Sequence, residues 1–393
     1  KTVALVGVDA LFVTKELVAN ARRALFKDTR IPGDHILVGA NHTHSGGPVV
    51  GAFDTGDDPK YVEAVAKGVA AAVKQAWGTL HASEIGIGSG TAEGIAFNRR
   101  FVMRDGSTIT HPGKPGTPNH ANIVCPAGPV DPMLGVLAVR APKGGKVRGF
   151  VLNFGCHSTV VGGNLFSPDY IGYVRKHLAA HYGADLPVCF LLGPCGDITQ
   201  VDNQSPGADF GPEMADMMGQ KLAGEAVRVT RRMKWATEAS VDAATMEVPC
   251  ALRDEPDPDR ERPPFGLGSD GGKGELAKVW AAGRKAVAEE RRKRPILPCE
   301  VQAVRVGDLG IATNGAEYFC EFGLTIKKAS RHASTWVASL ANEWIGYVPT
   351  ASAFAAGGYE PRTATSSKLA PEAGQRLMEG ALKMLAKVEA KKE

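Results

Sequence analysis

The 393-residue chain is 44% hydrophobic and 22% charged, the proportions of a globular protein, so disorder is excluded for most of its length. Lys and Arg number 46 against 42 Asp and Glu, an excess too small to argue for a nucleic-acid partner. No run approaches the ~18 apolar residues of a membrane span, and seven cysteines without a Cys-x-x-Cys pair give neither a disulfide framework nor a zinc ribbon.

The chain opens at Lys1, without Met, on a strand-like run over residues 2–8, so upstream sequence is expected before it. A helix is expected over 16–26, a strand over Ile36–Ala40, and a helix over 61–77, where Val62, Val65, Val69, Val73 and Trp77 follow three-four spacing. Further strands are expected over 85–87, 134–140, Val147–Phe154, 187–192, 240–248, 301–306, 310–313 and 336–340. Further helices are expected over 169–181, 213–233, 275–294, 318–330 and 373–390. Two segments rich in Pro and Gly, 103–132 and 254–273, read as ordered loops, the second as an insertion. Alternating elements with several consecutive strands predict an α/β fold. It is one large domain over 1–393, with a central mixed β-sheet flanked by helices and its site at strand ends.

Four segments following expected strands carry candidate chemistry. In Asn41-His-Thr-His-Ser-Gly-Gly47, strand alternation would put His42 and His44 on one face, and the glycines let the backbone turn close to a ligand. Two imidazoles at a strand end suit a metal, although a polar strand terminus has the same look. His157, after Val147–Phe154, supplies a third imidazole; the alternative is a buried core histidine with its own hydrogen bonds. The turn Gly193-Pro-Cys-Gly-Asp197-Ile-Thr199 bares backbone N–H groups and could present Asp197 or Thr199 to a pocket. Glu317, after 310–313, could complete a metal shell, and helix N-terminal charge preference explains it equally well. His177 and His181 lack the Glu of a His-Glu-x-x-His arrangement and read as a solvent-facing pair. Gly86-Ile-Gly-Ser-Gly90 opens no helix, so a dinucleotide site is rejected, and no Gly-x-Ser-x-Gly elbow is present.

In this order, the segments resemble the neutral/alkaline non-lysosomal ceramidase family, zinc-dependent amidases that cleave N-acylsphingosine. The resemblance rests on Asn41-His-Thr-His-Ser-Gly-Gly47, Phe97-Asn-Arg99-Arg100, Gly155-Cys-His157, Gly196-Asp-Ile-Thr199, Ala316-Glu317-Tyr-Phe and Asn342-Glu-Trp-Ile-Gly-Tyr347-Val-Pro-Thr350, continuing to Tyr359-Glu360. It implies that His42, His157, Glu317 and Tyr347 ligate Zn2+, with His44, Arg99, Thr199 and Tyr359 around the substrate amide. It implies hydrolysis through a metal-activated water, with the oxyanion stabilised by zinc and by Tyr359 or Arg99, and with His44 moving the proton.

Thr199 stands where the family has Ser, Trp344 where it has a phenol, and Ala316 where it has Gly before the Glu. After Tyr359 the tail reads as helix, so no C-terminal immunoglobulin-like domain is expected. The expected partner is a small-molecule or lipid amide, with peripheral membrane contact and no nucleic acid. Competing readings are a metal-dependent esterase or cyclic-amide hydrolase on the same centre, or a catalytically silent binding protein. The resemblance favours a periplasmic or secreted setting, whereas seven cysteines without a pairing pattern suit a reducing space.

Overall fold

The computed structural model describes residues 1–51, 56–254 and 275–389. Its framework is two mixed sheets. The five-stranded sheet runs, in order, Val188–Leu192, Val147–Phe154, Met133–Arg140, Glu84–Thr91 and Trp235–Ala236, with only the first pair parallel. The four-stranded sheet runs Val241–Ala251, Ile296–Val306, Leu309–Thr313 and Ser334–Ala338, with its last pair parallel.

Side-chain alternation shows how these sheets stack. Along Met133–Arg140, Leu134, Val136 and Ala138 pack in one core with Ile171, Val174 and Leu222 of helices Tyr170–Tyr182 and Pro212–Thr230. Leu137 points the other way, into a core shared with Val304, Ile311 and Trp336 of the second sheet. Ala303 and Ala312, on that sheet's far face, pack with Leu377 and Ala381 of helix Ala373–Val388. The layers are therefore helix, sheet, sheet, helix. The fully buried Trp336 fills the space between the sheets only because residue 135 is glycine: a Cβ there would stand 2.4 Å from the indole.

The α/β class stands, but the strands expected in one central sheet divide between two. Both sheets are covered on both faces, so their strands read as near-continuous apolar runs with nothing to assign them to one sheet or the other. The segment 103–132, expected as loop, also holds short strands: Thr108–Thr110 and Ile123–Pro126 pair with Arg100–Met103. Strands of three and four residues are too short for periodicity to register. Of the expected insertion, all but Asp254 lies outside the described residues.

Beside the large sheets, Ala4–Val8 pairs in parallel with Ile36–Ala40, and Ala316–Tyr318 with Gly346–Val348. These pieces are stitched together at one end. Ala40 N–H donates to Leu340 O, Ser339 N–H to Leu192 O, and the Asn153 side-chain amide to both Leu191 O and Val337 O. The carboxyl ends of several parallel strands thus meet there, the usual place for a site in an α/β fold.

Candidate metal centre

The strand Ile36–Ala40 stops before the histidines, and His42 adopts a left-handed φ of 62°. Simple alternation therefore does not place His42 and His44 together; a local turn does. Its backbone is pinned by a parallel bridge between Thr43 and Ser158, by His44 N–H to Ser158 O and by Ser158 Oγ to Asn41 O. These contacts hold a conformation that costs an L-residue about 1–2 kcal/mol. They also place the two histidine segments side by side.

Both inner imidazoles are oriented from behind. His42 Nδ1 lies 3.0 Å from Leu11 O, and His157 Nδ1 lies 2.6 Å from Cys195 O and 3.1 Å from Ile198 O. A carbonyl can only accept, so each Nδ1 carries the proton and each Nε2 presents a lone pair forward. Those lone pairs converge on Glu317 Oε2, at 3.5 Å from His42 Nε2 and 3.4 Å from His157 Nε2. The parallel ladder sets Glu317 directly opposite Tyr347, whose hydroxyl is 3.5 Å from His157 Nε2. His44 Nε2 comes to 3.4 Å from His42 Nε2, and His42, His44 and His157 form a group that could hold a metal ion.

These residues fit such an ion. Donors ~2.0–2.1 Å from a tetrahedral centre stand roughly 3.3–3.4 Å apart, close to the spacings found. Burial and the Arg99 charge push His157 down to about 4, which keeps it a neutral donor at neutral pH. Burial would raise the Glu317 pKa, but His157 and His42, whose Nε2 atoms lie beside its Oε2, hold it well below the carboxylate norm. Burial and the nearby Glu317 charge raise Tyr347 well above an ordinary phenol. His44 has its ring exposed along the pocket edge, yet crowding of its nitrogens and repulsion from His42 and His157 lower its pKa well below 6.5. Among the described residues no carbonyl anchors its Nδ1.

Arg99 is wholly committed behind the centre. It donates to Glu360 Oε1 at 2.8 Å, Gly196 O at 2.7 Å and the Tyr347 hydroxyl at 3.2 Å. Glu360 is fully buried and also takes Arg100 at 2.6 Å and Thr110 Oγ1 at 2.9 Å. Burial opposes its charge, but Arg100 and Arg99 bring its pKa down to about 2. The stabilisation is therefore present above pH 4.5 and lost as pH falls towards about 2. Glu360→Ala, which strands two buried guanidinium groups, is expected to cost about 3–5 kcal/mol in denaturant unfolding, and Glu360→Gln less.

The centre lies at the wall of a cavity of about 490 Å³ lined by Leu11, Phe12, Val49, Trp280, Trp344 and Tyr359 together with His42, His44, Glu317 and Tyr347. Phe12 stacks on Trp344 at 4.3 Å, with the His42 ring 5.2 Å from Phe12. Tyr359 meets Tyr347 edge-on at 5.8 Å and Trp280 at 5.6 Å. A larger cleft of about 850 Å³ between helices Lys15–Thr29 and Pro59–Gly78 contains none of these histidines.

The structure thus gathers His42, His44, His157, Glu317, Tyr347 and Tyr359. Arg99 and Thr199 are not in the described cavity lining; the Thr199 hydroxyl donates to Gln200 Oε1 at 3.0 Å. Asp197 also lies behind the wall, accepting from Cys320 N–H and the Asn98 amide, both at 2.8 Å, with its pKa pushed up to about 6 by burial. A Cβ on Gly196 would stand 2.3 Å from Glu317 O, so this turn packs directly against the carboxylate's backbone. His177 pairs with Asp216 at 3.2 Å, away from the site. Sequence reasoning missed Phe12, Trp280 and the Glu360 clamp; the adjacent Arg99-Arg100 was the available signal, because two buried guanidinium groups demand a carboxylate.

Buried imidazoles and a carboxylate at the strand ends of a mixed α/β fold define a candidate metal centre. The same fold occurs in solved ceramidases. A ceramidase complexed with C2 superposes with a TM-score of 0.73 at 17% identity, covering 99% of this chain and 68% of that one. Neutral ceramidase from Pseudomonas aeruginosa superposes at 0.70 with 18% identity, covering 99% and 67%. No protein-family model and no curated protein matches the chain. The chain has the ceramidase fold.

Proposed function

We propose that this chain is a zinc-dependent amidohydrolase that cleaves the amide of an N-acyl lipid of ceramide type. The observation that carries the reading is the convergence of His42 Nε2, His157 Nε2 and Glu317 Oε2, at 3.4–3.5 Å, on the wall of an apolar, aromatic cavity. The fold shared with two ceramidases supports it. Two imidazoles, one carboxylate and a phenol favour Zn2+ over Ca2+ or Mg2+, which prefer all-oxygen sites. When bound, such an ion supplies Lewis acidity and lowers the pKa of water.

The chain's own residues do the rest. His42 and His157 are preset as donors by their Nδ1 carbonyl contacts, and Arg99 orients the Tyr347 oxygen. Tyr359 supplies a phenolic donor for negative charge growing on the substrate carbonyl. Neutral His44, open to the cavity, takes a proton from the nucleophile side and returns it to the leaving nitrogen. Phe12, Trp344 and Val49 accept the acyl chain and exclude water. Because ligands come from segments following both sheets, residues 1–393 act as one catalytic unit.

The test is kcat/KM on an N-acyl amide, the matching ester and a lactam, with zinc measured on the same preparation. Highest turnover of the linear amide is expected. Preference for the ester or lactam would move the assignment to those chemistries, and stoichiometric zinc with no hydrolysis would make the chain a binder.

A further inference from the structure

Residues 160–168, Val-Val-Gly-Gly-Asn-Leu-Phe-Ser-Pro, form an uncharged projection beside the candidate site. Leu165 is 84% exposed and Phe166 78% exposed, although large apolar side chains ordinarily turn inward. The base of the loop is firmly built. Ser45 Oγ donates to Val161 O, Ser167 N–H to Ser45 O, and Thr43 Oγ1 to Ser167 O. The acid next along the chain, Asp169, is fully buried and accepts from Val161 N–H at 2.8 Å, so it puts no charge on the tip.

The projection is joined to the cavity wall through Tyr61. Tyr61 packs against the cavity-lining Gly47 so closely that a Cβ there would stand 2.1 Å from its ring, and Phe166 stacks at 6.4 Å from Tyr61 with the rings nearly parallel. The neighbouring loop, joined by Gly211 N–H to Val160 O, exposes Phe210 at 58%. At ~150–250 Å² apiece these side chains fall short of the ~800 Å² that each partner gives to a stable protein interface. An uncharged tip with large apolar groups suits the interface of a lipid surface instead.

We propose that Leu165 and Phe166 insert into a zwitterionic lipid surface and set the cavity mouth against it. The inference rests on the N-acyl lipid reading for its purpose, but it is tested separately. Flotation with phosphatidylcholine vesicles should recover the wild-type chain, with little dependence on salt because no charge is at the tip. Leu165→Ser with Phe166→Ser should reduce partitioning by about 100-fold, since each apolar side chain contributes roughly a factor of 10. The same variant should keep wild-type metal content and kcat/KM on a short, water-soluble N-acyl amide while losing rate on vesicle-borne substrate.

Wild-type partitioning by the double variant, or no flotation of the wild type, overturns the proposal. So does binding that requires anionic lipid and vanishes in salt, or a wild-type dimer that the variant dissociates. If the wild type floats and the variant does not, yet neither hydrolyses any amide, the lipid-contact proposal stands and the amidase reading fails.

Discussion

Replacing His42 or His157 should strip the protein of bound metal and reduce amide turnover to background, and elemental analysis beside the activity assay reads both. Removing only a hydrogen-bond partner of a metal-ligating residue typically costs about 10–100-fold in affinity or activity; loss of the ligand itself should exceed ~100-fold. At position 157 alanine is suitable. At position 42 the left-handed φ of 62° would charge alanine a conformational penalty unrelated to the metal. His42→Asn is therefore the better variant, because asparagine tolerates that region and cannot place a donor where Nε2 stands. Retention of stoichiometric metal by either variant, with near-UV circular dichroism unchanged, would place the centre elsewhere. The Leu11, Cys195 and Ile198 carbonyls that accept from the imidazoles are backbone and survive both changes.

The parts of this site that the sequence disclosed are those directly following long apolar strands. His157 follows Val147–Phe154, and the His42 segment follows Ile36–Ala40, both with the bounds expected. The pairing of Glu317 with Tyr347 was legible only through resemblance, because Ala316–Tyr318 and Gly346–Val348 are three residues each and show no period. The left-handed turn at His42 was hidden too: strand alternation predicted the right neighbours for a reason the backbone does not use. Phe12 stayed silent because its place in the cavity depends on stacking with Trp344, more than 300 residues away in the chain. The division into two sheets was equally hidden, since Leu137 and Val136 face different cores but are both apolar.

His44 carries the sharpest division between two chemistries. It sits 3.4 Å from His42 Nε2, so its ring belongs to the imidazole cluster by distance. Orientation argues for a proton carrier. His42 and His157 are tied at Nδ1 to backbone carbonyls, as ligand histidines usually are, whereas His44 has no such tie among the described residues and opens to the cavity. With its pKa held well below 6.5 by crowding and by its neighbours, His44 is an unprotonated acceptor at neutral pH. His44→Ala is thus expected to retain metal while kcat falls by about 10²–10⁴-fold, the usual contribution of a general acid–base group. The wild-type acid limb of kcat/KM should lie below pH 6.5 and flatten in the variant. Loss of metal in step with His157→Ala would instead make His44 a ligand, and the proton would then need another carrier on the cavity wall, which Tyr359 also lines.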